Sequence, residues 1–218
     1  MPSTGNDIVS LDLIDKERSN DRHFYLKILT PSEEALSRQP QLAGLPFERF
    51  LWLCWSIKES AFKYLKRENT AFVFSPTRIV ISNIIVPSLA ATDQDWEGDG
   101  SGEENYKGCL AAGGNTYYFR SKISATTIAT IVSSDENFTG VAWGILHIDE
   151  AGSTQQSEQV RSFVLKRLQT FFPGKSLLIE KTGAGYPVIM EGGNQLDLPV
   201  SFAHHGRTVS YSLQLASS

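Results

Sequence analysis

Ser56, Glu59 and Lys63 stand three and four residues apart in the run Trp55-Ser56-Ile57-Lys58-Glu59-Ser60-Ala61-Phe62-Lys63, so on a helix they share one face. A carboxylate one turn before an ammonium can stabilise a solvated helix by about 0.2–0.5 kcal/mol. It can also hold a cation beside a phosphate that the lysine meets. Lys58 bears on the choice, because it falls on the apolar line of Leu51, Cys54, Ala61, Phe62 and Leu65. An ammonium there must snorkel or meet an anion in a cleft. Asp12, flanked by Leu11, Leu13 and Ile14, poses the same question: it is a turn residue at a strand end, or a buried carboxylate that must be paired or bind a metal. Asp12 and Glu59 together offer the hard oxygen ligands that magnesium takes, one or two carboxylates completed by water and substrate phosphate.

The elements that must position these residues follow from the apolar pattern. The β-branched run 8–14 (IVSLDLI) predicts a strand with Asp12 in its middle, and 15–22 a turn. Thr30-Pro31-Ser32-Glu33 is a helix start, with the helix running to about Arg38. Phe47, Phe50, Leu51, Cys54, Ala61, Phe62 and Leu65 recur at helical spacing and predict the longest helix over 46–67. Strands are expected at 72–74 and 78–86, and the acidic, glycine-rich stretch 88–115 reads as a mobile loop. Residues 116–132 and 198–215 share one layout, a strand, a polar turn and a β-rich strand, each after a helix (46–67 and 158–170). This order predicts an α+β chain of two halves, 1–135 and 136–218, joined near 134–139.

At 218 residues such a chain buries a core without staples, and its two cysteines, Cys54 and Cys109, lie in unrelated contexts, which favours a reducing, cytoplasmic setting. The start of the chain has neither a basic leader nor an apolar signal core, and no stretch reaches membrane-span length. A formal net charge of -4 argues against a general nucleic-acid binder, so attraction to an anion must be local, as around Lys58, Lys63, Lys66 and Arg67.

WSIKESAFK, residues 55–63, resembles the W-(S/T)-x-K-E-(S/A)-x-x-K motif of the 4'-phosphopantetheinyl transferase superfamily. Leu11-Asp12-Leu13-Ile14-Asp15 is similar to the metal-binding aspartate strand that opens that family's catalytic half, and Ile28-Leu29-Thr30-Pro31-Ser32-Glu33 to the segment after it. Gly185-Tyr186-Pro187 and Ser201-Phe202-Ala203-His204-His205-Gly206 resemble its G-K-P and S-H-S-G-type elements, which contact coenzyme A. Tyr186 stands where a basic residue is usual, Ala203 where a serine is, and Ile14 where the fused two-half type has a third acidic ligand.

The resemblance implies an α+β fold of two pseudo-twofold-related halves with antiparallel sheets and the coenzyme A site between them. It implies a monomer acting as a pseudo-dimer. The implied activity is that of holo-acyl-carrier-protein synthases: Mg2+-dependent transfer of the 4'-phosphopantetheine arm of coenzyme A to a serine of an acyl or peptidyl carrier protein, as in fatty acid biosynthesis. Asp12 and Glu59 would be the metal ligands, Glu59, Lys63 and Asp12 the catalytic set, and Lys58, Lys63 and His204 the coenzyme A contacts. The departures at Ile14, Tyr186 and Ala203 leave open a non-catalytic relative that only binds coenzyme A or a carrier. Retention of Glu59 and Lys63 favours the enzyme, since a carboxylate beside phosphates repels them unless a metal intervenes.

Overall fold

The computed structural model describes residues 3–149 and 152–215. In chain order these form β1 (Gly5–Ser10), α1 (Lys16–Asn20), α2 (Arg22–Tyr25), α3 (Pro31–Leu36), α4 (Phe47–Glu68), β2 (Val80–Ile85), β3 (Trp96–Gly98), β4 (Asn105–Ala112), β5 (Asn115–Ile123), β6 (Thr127–Ser133) and β7 (Val141–His147). They continue with α5 (Ser153–Phe171), β8 (Leu177–Lys181), β9 (Pro187–Glu191), β10 (Asn194–Gln195), β11 (Val200–His205) and β12 (Thr208–Gln214). The chain is α+β, and its strand pairs are antiparallel throughout.

One sheet has the order β1-β6-β5-β4-β2, a second β11-β12-β7-β3, and a small third β10-β9-β8. The larger two repeat a pattern. Each opening strand (β1, β7) leads to a long helix (α4, α5), and each closing hairpin (β5–β6, β11–β12) returns so that its last strand pairs with the opening strand.

Helix α4 buries Phe50, Leu51, Leu53, Cys54, Ile57, Ala61, Tyr64 and Leu65, the i, i+3, i+4 stripe its sequence carries. Lys66 and Arg67 in its last turn suit the negative end of the helix dipole. Short α3 is fixed by a reciprocal cap, in which Thr30 Oγ1 accepts from the Glu33 N–H and the Glu33 carboxylate accepts from the Thr30 N–H.

β1 is buried along its whole length, and its two faces meet different partners. Gly5, Asp7 and Val9 face α4. A Cβ on Gly5 would lie 2.1 Å from the Ser60 carbonyl oxygen and 2.6 Å from the Tyr64 nitrogen, so only glycine permits this approach of strand to helix. Thr4, Asn6 and Ser10 face the second sheet: Thr4 Oγ1 donates to Ser212 Oγ (2.8 Å), Asn6 Nδ2 to Ser210 Oγ (3.1 Å), and the Ser10 N–H to His205 Nδ1 (3.0 Å). β12 alternates to match, with Val209, Tyr211 and Leu213 in the core under α5 and Ser210 and Ser212 turned to β1.

Several expected boundaries move. The first strand is Gly5–Ser10, not 8–14, and residues 11–13 form a 3-10 turn. The turn expected over 15–22 contains α1 and leads into α2, each capped by an aspartate side chain, Asp15 and Asp21. Residues 72–74 make no strand; their aromatic rings instead pack on Trp55 and Phe62. The stretch 88–115 is no plain loop, since it supplies β3 and β4. Its acidic residues act as tethers: Asp93 accepts from Thr126 Oγ1 (2.7 Å) and Asp95 from the His147 N–H (2.7 Å).

Candidate functional site

The close approach fixed by Gly5 sets Asp7 beside the polar face of α4, and Lys63 Nζ lies 3.0 Å from Asp7 Oδ1. Glu59 is one turn before Lys63 on the same face and feels both charges. Burial lifts its carboxyl above the ordinary range; the Lys63 ammonium opposes this and the Asp7 carboxylate adds to it. From the second sheet, the edge strand β11 brings His204 to the same charges. Packing around its ring lowers its pKa, as do Lys63 and His205, while Asp7 acts the other way. Four titratable side chains from β1, α4 and β11 thus meet where the two large sheets face each other.

Asp12 is not among them. It lies exposed in the 3-10 turn after β1, and the carboxylate that meets Lys63 is Asp7, five residues earlier. The sequence signal was Gly5-Asn6-Asp7: on a strand, residues two apart share a face, so a glycine that admits the helix puts Asp7 against it.

Lys58, expected to contact coenzyme A from the cleft wall, is corrected by its surroundings. It has no exposed surface, and its ammonium donates to the Ile28 carbonyl oxygen (2.7 Å) and to Glu33 Oε2 (2.7 Å). Glu33 is equally buried and accepts in addition from Thr30 and from the Ile81 N–H (2.8 Å). This closed pair ties α4 to α3 and β2, and no donor of Lys58 is left facing the cleft.

Arg67, one turn beyond Lys63, reaches across to the starts of β9 and β11. Its guanidinium lies 4.7 Å from the centre of the Tyr186 ring and donates to the carbonyl oxygens of Pro187 (3.2 Å) and Val200. The turn where the resemblance expects a basic residue therefore has tyrosine, and the charge comes to it from α4. Lys66 folds back onto the Phe72 carbonyl oxygen (3.2 Å).

Three elements run through the site in one order. On α4, Arg67 is followed by Lys63 and Glu59 and then by Trp55 and Trp52; on the first strand, Ser3 is followed by Asp7 and Leu13; on β11 and its approach, Pro199 is followed by His204 and His205. At the Arg67 end is a cavity of about 450 Å³ lined by Ser3, Tyr186, Gln195 and Asp197. At the Trp55 end is one of about 620 Å³ lined by Leu13, Ile14, Phe24, Trp52, Phe74 and His205. The charged cluster lies between them.

The residues present suit a divalent cation. Asp7 Oδ2 is buried without a hydrogen-bond partner, and burial, opposed by Lys63, holds Glu59 beside it above its ordinary pKa, so a cation placed there would relieve both carboxylates. No group of three or more His, Cys, Asp or Glu residues able to hold a metal occurs among the described residues. That leaves two carboxylates, the number magnesium takes when water and phosphate complete its shell.

No helix among the described residues is long and apolar enough to cross a membrane. A search of curated proteins finds no match to this chain. Residues 3–106, the stretch carrying Asp7, Glu59 and Lys63, match the family model described as the 4'-phosphopantetheinyl transferase superfamily.

Proposed function

We propose that this protein transfers the 4'-phosphopantetheine arm of coenzyme A to a serine hydroxyl of an acyl or peptidyl carrier protein, releasing 3',5'-ADP. The observation that carries this reading is the meeting of Asp7, Glu59, Lys63 and His204 in the cleft, within and opposite the stretch that matches the superfamily. Asp7 and Glu59 would hold Mg2+, with Asp7 replacing Asp12 in the expected ligand pair. When bound, the ion would neutralise charge on the pyrophosphate.

The chain's own groups do the rest. Lys63 stabilises the negative charge that grows on the leaving diphosphate oxygens. Glu59, made more basic by burial, accepts the serine proton. His204, kept neutral at physiological pH, donates an N–H to a phosphate oxygen. The nucleotide lies toward Tyr186 and Arg67, whose ring and guanidinium offer a stacking surface, and the pantetheine arm runs toward Trp55. The halves 1–135 and 136–218 act as pseudo-twofold partners with one centre per chain, so a cytoplasmic monomer suffices. The order shared by β1-β6-β5 and β7-β12-β11 supports this reading, while β3 of the first half joins the second sheet.

The test incubates the protein with coenzyme A, MgCl2 and a panel of apo carrier proteins and reads intact mass. A phosphopantetheine gain on at least one carrier is expected; coenzyme A binding without transfer to any carrier would sink the enzyme reading in favour of a binder.

A further inference from the structure

β1 and β11 are edge strands of the two large sheets, each paired on one side alone. A buried edge needs partners for its free N–H groups. Here side chains supply them: the Asn6 N–H donates to Ser201 Oγ (3.3 Å) and the Ser10 N–H to His205 Nδ1 (3.0 Å). Asn6 and Ser10 are four residues apart, as are Ser201 and His205, so two side chains of β11 hold the strands in parallel register.

The His205 contact is the shorter, and the turn after it is held from two further elements. Gln156 Nε2 on α5 donates to the Gly206 carbonyl oxygen (2.8 Å), and the Ile148 N–H to that of Arg207 (2.9 Å). Gly206 has φ +60°, and a Cβ there would lie 3.0 Å from both Ser10 Oγ and Leu13 Cδ1, so the turn rests on the end of β1. An imidazole that accepts at Nδ1 carries its proton at Nε2, so the Ser10 N–H also sets the tautomer of His205. The ring forms part of the wall of the Trp55-end cavity, which Asp15, Arg18 and Lys27 also line.

His204 precedes His205 on the opposite face of the same strand. A shift of the second sheet along β1 by one residue would move His204 about 3.3 Å relative to Asp7 and Lys63, more than a hydrogen bond tolerates.

We propose that His205 is a positioning residue: by accepting the Ser10 N–H it fixes the register between the two large sheets, and so holds His204 where it meets coenzyme A. The inference rests on the reading above. His205 acts through His204 and needs no contact with the ligand.

Calorimetry with coenzyme A in MgCl2 tests this on the wild type, His205→Asn, His205→Leu, His204→Ala and the double variant His204→Ala/His205→Leu. Asparagine puts a carbonyl oxygen close to the place of Nδ1, and leucine has a similar shape without an acceptor. His205→Leu should weaken binding at least about fivefold, the worth of one hydrogen bond. His205→Asn should weaken it less than about twofold, and in the His204→Ala background His205→Leu should add less than about twofold, because both changes remove one contact. A nitrogen NMR spectrum of the histidine rings at about pH 8, with His205 assigned by its absence in His205→Asn, should show Nδ1 bare and Nε2 protonated. Should His205→Leu fail to fold, this spectrum decides. A proton on Nδ1 overturns the inference alone. Equal losses in the Asn and Leu variants do the same, and so does a Leu effect that persists in full without His204, which would make His205 a direct ligand contact. A wild type that does not bind coenzyme A overturns the proposed function, and the inference with it.

Discussion

Lys63 Nζ sits 3.0 Å from Asp7 Oδ1, and this contact joins the long helix to the first strand at the point where Gly5 lets them touch. Only one of the two Asp7 oxygens is thereby partnered. Asp7→Asn should lower transfer at least about tenfold by weakening cation binding. Asp12→Asn, on the exposed turn, should change it less than about twofold. Parallel rates against magnesium concentration check this; equal losses would return Asp12 to the site.

Glu59→Gln separates function from stability. Burial raises the folded-state pKa of Glu59 above its unfolded value, so its contribution to stability is present at low pH and lost as pH rises through the window between them. Glu59→Gln should therefore melt no lower than wild type at pH 7 in a chelator, while transfer falls by roughly 10²- to 10⁴-fold. Magnesium should raise the melting temperature of the wild type and not of the variant.

His204 runs the other way. Its folded-state pKa lies below the unfolded value of about 6.5, so its stability contribution is present above that value and lost as pH falls through the folded pKa. His204→Ala should raise the KM for coenzyme A and leave carrier affinity nearly intact. Its melting temperature should also fall less than that of wild type on acidification below pH 6.5. An unchanged KM would make His204 an ordinary residue of β11.

Lys58→Met tests a purely structural role. Removing the ammonium leaves the Glu33 carboxylate buried and uncompensated, a loss of about 3–5 kcal/mol in denaturant titration. Adding Glu33→Gln should restore part of it. The coenzyme A affinity of whatever remains folded should match wild type, and a specific loss of affinity would put Lys58 back at the cleft.

Gly5→Ala should cost about 1–3 kcal/mol, as overpacking does. It should also depress transfer beyond that loss, because the strand must retreat from Ser60 and carry Asp7 with it. Activity per folded molecule, from circular dichroism and initial rates on one sample, separates the two effects.

The helix carrying Glu59 and Lys63 was legible because its apolar stripe and its chemical motif are both local, set by the 3.6-residue period over 22 residues. The Thr30–Glu33 cap was legible for the same reason. Strand register was not. IVSLDLI and GNDIVS overlap, both are β-rich, and apolar content alone favours the later window. What decides between them is the fit of Gly5 against Ser60, a contact between residues far apart in sequence. The same limit hid the fate of Lys58: an ammonium on an apolar face needs an anion, but the sequence does not say whether that anion is a ligand or Glu33. By itself the sequence determined the long helix, its motif and the α+β order of elements, because these depend on periodicity and residue type along one segment. Only the tertiary structure decided which aspartate meets Lys63, that Arg67 covers Tyr186 and that a cavity lies beyond Trp55 at one end of the charged cluster, because each requires two or more distant segments to pack together.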